Sequence, residues 1–520
     1  MNLDDLQAEL AERGCVLWVE GEMLRFKAPD GALTPPLMSQ LRRNKRALIE
    51  RLRGDAQHGG DGANPPGGSG ANPPSGDVGP TREPSYGQQA MWLLHQAVPL
   101  SPAYNVASAV QVHGPIDYGA VERVWRTLLT RHDSLRTTFQ LRGGRLAACV
   151  QQQPATDAKR VLVPTEAGPA AGPAAVDAEL RRLVDASYRA PFDLTAGPLA
   201  RLRLFSVGET RHVLLLSMHH IVLDAWSLWV LHDEFGALYR QESRGEVGVL
   251  LAAEASYGDF VRWQQALPDS EAGRSQWQSW RQRLAGCPEP ARLVWDRRRP
   301  AARAQRGASL HFRLPAELSG QLRELGRQRG ATPFMTLLAV FQALLHLHSG
   351  QRDFVVGTTS SGRSEPRFAR LVGYLVNTLP LRAKIEPGCR FSGLLEQTRG
   401  EVIAAIGAQD FPFPLTVQRL NPPRESGALP LCRVMFGLQK PHDFSEAMIA
   451  LDDASRSIDW GGLRASTYEL DQQEGQFDLT LEMYETSTTF LGILKYDTAL
   501  LDRETAQLLA ARYRRLAELV

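Results

Sequence analysis

Hydrophobic and polar positions alternate with two different periods along most of the chain. Runs with strand character are ASAVQVHG (107–114), LARLRLFSV (199–207), HVLLLSMHHIV (212–222), FVVGTTS (354–360) and FLGILKYD (490–497). Between them, VERVWRTLLTRH (121–132), SLWVLHDEFGALYRQ (227–241) and FMTLLAVFQALLHLHSG (334–350) repeat their apolar residues at helical spacing. The region from 85 to 520 therefore predicts an α/β chain long enough for two lobes, 85–265 and 266–520. The stretch 257–286, followed by the Pro- and Arg-rich WDRRRPAARAQRG, marks the crossing between them.

Residues 55–84 break both periods. They are dominated by Gly, Pro and small polar residues, contain GANPP twice, and cannot bury enough apolar surface to fold, so they predict a flexible linker. Residues 1–54 predict a small α-β-β-α-α unit. A helix carries Leu3, Leu6 and Leu10 and stops at Gly14, and a hairpin turns at Glu20-Gly21-Glu22. A basic helical stretch follows, holding Arg42, Arg43, Lys45 and Arg46. Charge alone would equally describe a solvated helix face.

Composition narrows the function classes. With 59 basic and 57 acidic residues the net charge is +2, which gives no global field for nucleic acid. Five cysteines scattered without CxxC spacing argue against a structural metal or a disulfide framework. The first residues carry acids where a signal peptide would carry bases, and no apolar run reaches the length of a membrane span. The expectation is a cytoplasmic monomer with no membrane, metal or bound cofactor.

The sharpest local chemistry is MHHIVLDAWS (218–227), where a strand gives way to a helix. Strand alternation sends His219 and His220 to opposite faces, so only one serves a given cleft. A lone His is more often a core residue than a catalyst, and Asp224 is explained equally well as the N-cap of the following helix.

Context decides between these readings. SYGQQAMWLLHQ (85–96), RHDSLRTTF (131–139), MHHIVLDAWS and YGDFVRWQ (257–264) are followed by VVGTTSSGR (355–363) and LVGYLVNTLPLR (371–382), then by DFPFPLTVQRLNPPRESGALPLCRVMF (410–436) and QFDLTL (476–481). In this order they resemble the motifs of nonribosomal peptide synthetase condensation domains. The resemblance implies two chloramphenicol-acetyltransferase-like lobes in a V-shaped pseudo-dimer with a tunnel between them. It implies an acyltransferase that moves an acyl chain from the phosphopantetheine thioester of an upstream carrier protein to an amine or hydroxyl acceptor. That acceptor would sit on a downstream carrier or be a free small molecule, as in a standalone chain-releasing enzyme.

By the same resemblance His220 is the catalytic base or positioning group. His219 is structural, and Asp224 pairs with a buried arginine, either Arg136 or Arg363. Ala225, Trp226, Ser227 and Asn377 belong to the tunnel, with Asn377 bridging the lobes or approaching the acceptor. Ala225 stands where the family usually has Gly, which points to a polyketide-type donor. The histidines exclude a heterocyclisation domain, and a DFGWG-like segment of coenzyme A-dependent relatives is missing. The competing reading is a catalytically inactive scaffold that recruits carrier proteins.

The small N-terminal unit resembles the docking domains of some synthetase subunits. These take the C-terminal short linear motif of an upstream partner by strand addition. The receiving surface would comprise Trp18, Arg25 and Lys27 on the hairpin together with Arg42, Arg43, Lys45 and Arg46.

Overall fold

The structure is a computed structural model. It describes residues 16–20, 23–27, 78–99, 101–153, 156–164, 173–286, 290–293, 295–300, 306–423, 429–440, 457–470 and 476–520. The chain divides into two compact units, Met1–Pro74 and Ser75–Val520.

In the first unit the expected hairpin is present. Val16–Glu20 and Met23–Lys27 run antiparallel, with Trp18 opposite Arg25 and Val16 opposite Lys27. The expected helices and the basic cluster lie outside the described residues.

The larger unit is built on two six-stranded sheets and one three-stranded sheet. In the first large sheet the order is Ile458–Trp460, Leu463–Thr467, Asn105–His113, Arg211–His219, Ala200–Val207, Ala158–Leu162. Arg211–His219 is central and antiparallel to both neighbours, and it is buried from His212 to its end. This is why its apolar run is nearly unbroken. The period of two still sorts its side chains. Leu214 and Leu216 join the core of Val124, Trp125, Leu128 and Phe235 on one face. Val213 and Leu215 meet Leu180, Val184 and Tyr188 of the helix Pro173–Arg189 on the other.

The second large sheet has the order Gly307–Leu314, Phe490–Asp497, Leu479–Glu485, Val434–Gln439, Asp353–Ser360, Asn377–Lys384. Only Val434–Gln439 runs parallel to its neighbours; the other pairings are antiparallel. Its main cover is the helix Pro333–Ser349, whose apolar residues fall on nearly every face because it is buried within the core. Thr332 caps the helix start, Pro333 occupies its first position, and Gly350 ends it at φ 73°.

Two expected boundaries change. Val78–Arg82, inside the expected linker 55–84, is a strand paired with Arg145–Gln151, so the Gly/Pro-rich segment stops before it. Residues 458–467, assigned by position to the second lobe, add two strands to the first lobe's sheet, with Arg464 opposite His113 and Thr467 opposite Val110. Such short strands are placed by the edge they meet, which sequence spacing does not encode. Among the described residues no single helix is long and apolar enough to cross a membrane.

Candidate active site

The strand Arg211–His219 ends at the cleft between the large sheets, and the chain then makes a short 3-10 turn, His220–Val222, before the helix Ala225–Glu242. The turn is held from outside. Ser85 and Gln88 form a reciprocal capping box on the helix Tyr86–Ala97, and the Gln88 side-chain amide also donates to the Ile221 carbonyl at 3.0 Å. SYGQQ thus fixes the backbone that carries the second histidine.

The two histidines diverge as alternation requires. His219 is buried, and its Nδ1 accepts from the Ile221 N–H at 3.1 Å. This leaves the proton on Nε2, which has no hydrogen-bond partner. The ring meets His95 and Phe192 edge-on, with centroids 5.4 and 6.3 Å away. Burial, then the neighbouring His95 and His220, hold its pKa well below the ordinary histidine value. His219 is therefore a neutral core residue.

His220 is half-buried and lines the cleft. Its Nδ1 lies 2.7 Å from the Leu223 carbonyl oxygen, which can only accept, so Nδ1 carries the proton. In the neutral ring Nε2 is then the lone-pair nitrogen. The ring also packs perpendicular to Tyr374 at 5.1 Å between centroids.

Asp224 does not touch His220's ring nitrogens. It caps the following helix, its Oδ1 accepting from the Ser227 N–H at 2.9 Å and lying 2.7 Å from the Ser227 hydroxyl. Arg363 clamps both oxygens, at 2.9 and 3.0 Å. The Leu375 and Val376 N–H groups donate to Oδ2 at 3.1 and 3.2 Å. The side chains of Arg363 and Asp224 are only 2% and 4% exposed. Burial alone would raise the carboxyl's pKa, but the Arg363 charge and these hydrogen bonds hold it below the usual carboxylate value.

Of the two candidate partners the structure pairs Arg363 with Asp224. Arg136 instead donates to the Gln151 carbonyl, joining the turn Asp133–Arg136 to a strand of the small sheet.

Three further expectations are corrected. Trp226 turns away from the cleft, its indole N–H bonding the Ala369 carbonyl at 2.8 Å. Ser227 is fully buried within the Asp224–Arg363 cluster, and its N–H is engaged by Asp224, so it is not a donor to substrate. Asn377 borders the cleft, but its amide donates to the Gln409 and Phe411 carbonyls at 2.8 and 2.9 Å and accepts from Phe413 N–H at 2.9 Å. It ties its own strand to 409–413 and does not bridge the lobes. Ala225 stays where expected, exposed at the cleft wall and at the start of the helix.

The cleft encloses about 1440 Å³ and takes its lining from both large sheets. The sequence reading missed Tyr374 and Tyr257. Tyr257 donates to the Tyr374 carbonyl at 2.9 Å and reaches Ser85 Oγ at 3.2 Å, which seats LVGY against SYGQQ. A signal was available in the glycines. A Cβ on Gly87 would lie 2.4 Å from the Tyr374 ring, and one on Gly373 would lie 2.2 Å from the Tyr257 ring. Among the described residues no group of three His, Cys, Asp or Glu side chains is placed to hold a metal ion.

Comparison with known proteins agrees with this geometry. A condensation-domain family model matches residues 84–520, and a TubC N-terminal docking-domain model matches residues 3–53. The chain is similar to phosphinothricin tripeptide synthetase PhsC of Streptomyces viridochromogenes, 36% identical over 477 residues, covering 92% of this chain and 42% of that one. It is also similar to malpinin synthetase of Mortierella alpina, 32% identical over 423 residues, covering 81% of this chain and 5% of that one. The chain thus spans less than half the length of these relatives.

Among solved structures, the first condensation domain of the calcium-dependent antibiotic synthetase with a substrate analogue superposes with a TM-score of 0.69 at 21% identity, covering 85% of this chain and 96% of that one. The X-domain from teicoplanin biosynthesis gives a TM-score of 0.73 at 24% identity, covering 84% and 94%. At these identities the structures speak to the fold alone.

Proposed function

The chain belongs to the condensation-domain family of nonribosomal peptide synthetases, and we propose from that premise that it transfers an acyl group between carrier-bound substrates at His220. The donor is a thioester on the phosphopantetheine arm of an upstream carrier protein. The acceptor is an amine, giving an amide, or a hydroxyl, giving an ester.

The observation that carries this reading is the tautomer of His220. With Nδ1–H held by the Leu223 carbonyl at 2.7 Å, the acceptor nitrogen Nε2 is left for the cleft. The acceptor nucleophile would attack the thioester carbonyl while its proton passes to Nε2. The tetrahedral centre then collapses, the C–S bond breaks and the thiol leaves with a proton. Nε2 can both take the proton and hydrogen-bond the reacting centre, and a hydroxyl acceptor needs the base more than a neutral amine does. The supporting frame is the buried Asp224–Arg363 pair, which through the Leu375 and Val376 N–H groups positions the segment carrying Tyr374 against the ring. Ala225 places a methyl group on the cleft wall where glycine would leave room, and the resemblance to relatives that depart at this position is what suggests a donor of polyketide type.

Residues 1–54 fit a docking role, taking the C-terminal motif of an upstream subunit by strand addition to Val16–Glu20 or Met23–Lys27. The rival reading is a recruiting scaffold. It is favoured by one observation, the likeness in fold to the teicoplanin X-domain, which has been solved in complex with OxyB.

The test loads an upstream carrier with an acyl thioester and follows transfer to amines and alcohols by intact mass, for wild type, His220→Ala and a chain lacking 1–54. Wild-type transfer that falls by roughly 10²–10⁴ in His220→Ala fits proton transfer at this residue. A higher carrier requirement in the truncated chain fits docking. Carrier binding that depends on 1–54, without transfer to any acceptor, would leave the scaffold.

A further inference from the structure

Acyl transfer through a tetrahedral centre places negative charge on the former thioester oxygen, and that charge is best met by a hydrogen-bond donor already in place. In its neutral tautomer His220 does not supply one, because Nδ1–H is held by the Leu223 carbonyl and Nε2 takes the acceptor's proton. Backbone donors on the segments carrying His220 and Tyr374 are engaged as well. The N–H groups of Ser227, Leu375 and Val376 all point at the Asp224 carboxylate.

Tyr374 carries an uncommitted donor. It lines the cleft, half-buried, and packs perpendicular to the His220 ring at 5.1 Å between centroids. Among the described residues nothing hydrogen-bonds its hydroxyl, whereas a buried tyrosine usually finds a partner. Tyr257, in contact with it, does so, its hydroxyl lying 2.9 Å from the Tyr374 carbonyl oxygen and 3.2 Å from Ser85 Oγ.

The Tyr374 ring also has little freedom to turn elsewhere. A Cβ on Gly87 would stand 2.4 Å from one ring carbon and 2.9 Å from the next, so the helix Tyr86–Ala97 backs one edge of the ring. The backbone is held by Tyr257 at the carbonyl and by Asp224 through the two following N–H groups. Burial, with Tyr104 and Asp224 adding to it, pushes the phenol's pKa above the ordinary tyrosine value, so the hydroxyl keeps its proton. A fixed ring with a free O–H in the wall of the substrate cleft is a preorganised donor.

We propose that Tyr374 is a further catalytic residue of this cleft, its hydroxyl hydrogen-bonding the thioester carbonyl oxygen and stabilising the oxyanion formed there. The inference rests on the acyl-transfer reading of the same cleft. As the acceptor attacks, its proton goes to Nε2 of His220 and the carbonyl π pair moves onto oxygen, where the phenol O–H bonds it without giving up its proton. The C=O then re-forms, the C–S bond breaks, and the leaving thiolate takes the proton from Nε2.

The test is Tyr374→Phe, which keeps the ring against His220 and Gly87 and removes an oxygen that no described residue bonds. Its melting temperature should match wild type. With an acyl-loaded carrier as donor, kcat should fall by about tenfold or more at unchanged KM, one oxyanion donor commonly supplying roughly 10²–10³ in kcat. A smaller fall, or a loss through KM alone, overturns the proposal. A Tyr374→Phe chain that does not fold overturns it too, because the hydroxyl would then support structure. Tyr374→Leu, which removes the ring as well, gives the comparison. Full transfer by the Phe variant beside a defective Leu variant assigns Tyr374 to positioning His220 and refutes a role for its hydroxyl.

Calorimetric binding of a pantetheine-linked alkylphosphonate, whose anionic tetrahedral phosphorus imitates the intermediate, separates this inference from the acyl-transfer reading. Wild type should bind it about tenfold or more tighter than Tyr374→Phe, and equal binding overturns the proposal. A preference for the phosphonate without transfer from any carrier sinks the acyl-transfer reading and leaves the Tyr374 anion site. Transfer that needs His220 but is indifferent to Tyr374→Phe does the reverse.

Discussion

Replacing Arg363 by Met tests whether Asp224 acts in chemistry or in architecture. The substitution keeps most of the side-chain volume and removes both hydrogen bonds to the carboxylate, together with those from Arg363 to the Ser361 and Leu371 carbonyls at 2.8 Å. Asp224 is then a buried charge whose remaining donors are the Ser227, Leu375 and Val376 N–H groups and the Ser227 hydroxyl. Stranding one member of a buried pair costs about 3–5 kcal/mol.

Asp224→Asn strands the arginine instead and should cost a similar amount, while keeping an oxygen for the helix cap. The double variant should cost less than the sum of the singles by up to about 3 kcal/mol, because each single already contains the loss of the same pair. Urea denaturation followed by circular dichroism gives all four corners of the cycle, and transfer is measured at denaturant-free conditions where each variant is folded.

The pH dependence has a fixed sign. The folded carboxyl titrates below its ordinary value, so its contribution is complete above about pH 4 and is lost as the pH falls through the folded value. Arg363→Met should flatten that acid limb. An Arg363→Met protein with wild-type stability but no transfer would refute the architectural reading and place the pair in the chemistry.

Other expectations concern packing and the buried histidines. Gly87→Ala puts a methyl group 2.4 Å from the Tyr374 ring that flanks His220, so it should destabilise by about 1–3 kcal/mol and lower transfer. Gly320→Ala, in the helix Ala316–Gln328 with nothing within 4 Å of the added carbon, should instead stabilise by up to about 1 kcal/mol; thermal unfolding compares the two. Burial lowers the pKa of His232 to about 4, so the unfolded chain takes up a proton first. Stability should then decline as the pH falls from about 6.5 toward 4, by up to about 3 kcal/mol, and His232→Phe should remove that slope in a pH-resolved denaturation series. The indole of Trp460 donates to the His232 carbonyl at 2.9 Å and stacks on Phe235 at 4.8 Å, so Trp460→Ala should cost about 3–5 kcal/mol and loosen the strands 458–467.

What was legible in the sequence follows from the range of each interaction. The strand Arg211–His219, the divergence of His219 from His220 and the N-cap at Asp224 depend on neighbours a few residues away, and local periodicity reports them directly. Arg363 lies 139 residues after Asp224 and Arg136 well before it, and two arginines in two motifs cannot be ranked without the tertiary path between them. Asn377 lines the cleft as expected, but that its amide ties down 409–413 instead of bridging the lobes was hidden for the same reason, since the two roles look alike in sequence. Trp226 follows an exposed position at the cleft, yet helical rotation of about 100° per residue carries it away from the wall that Ala225 lines. Tyr374 was hidden because nothing local marks an aromatic ring that packs on a histidine far away in the chain. Only the glycines at 87 and 373, placed where a Cβ would strike a ring, recorded those close approaches.

The orientation of His220 follows from the same division of labour. The motif carries an aspartate four residues after the histidine, and in many sites a carboxylate holds the second ring nitrogen and stabilises the imidazolium. Here Arg363 and the surrounding N–H groups draw that carboxylate into the helix cap, and the Leu223 carbonyl holds Nδ1 in its place. A carbonyl fixes the tautomer without adding a negative charge beside the ring. The arrangement leaves the lone pair of the neutral ring on Nε2, the nitrogen through which the proposed transfer would run.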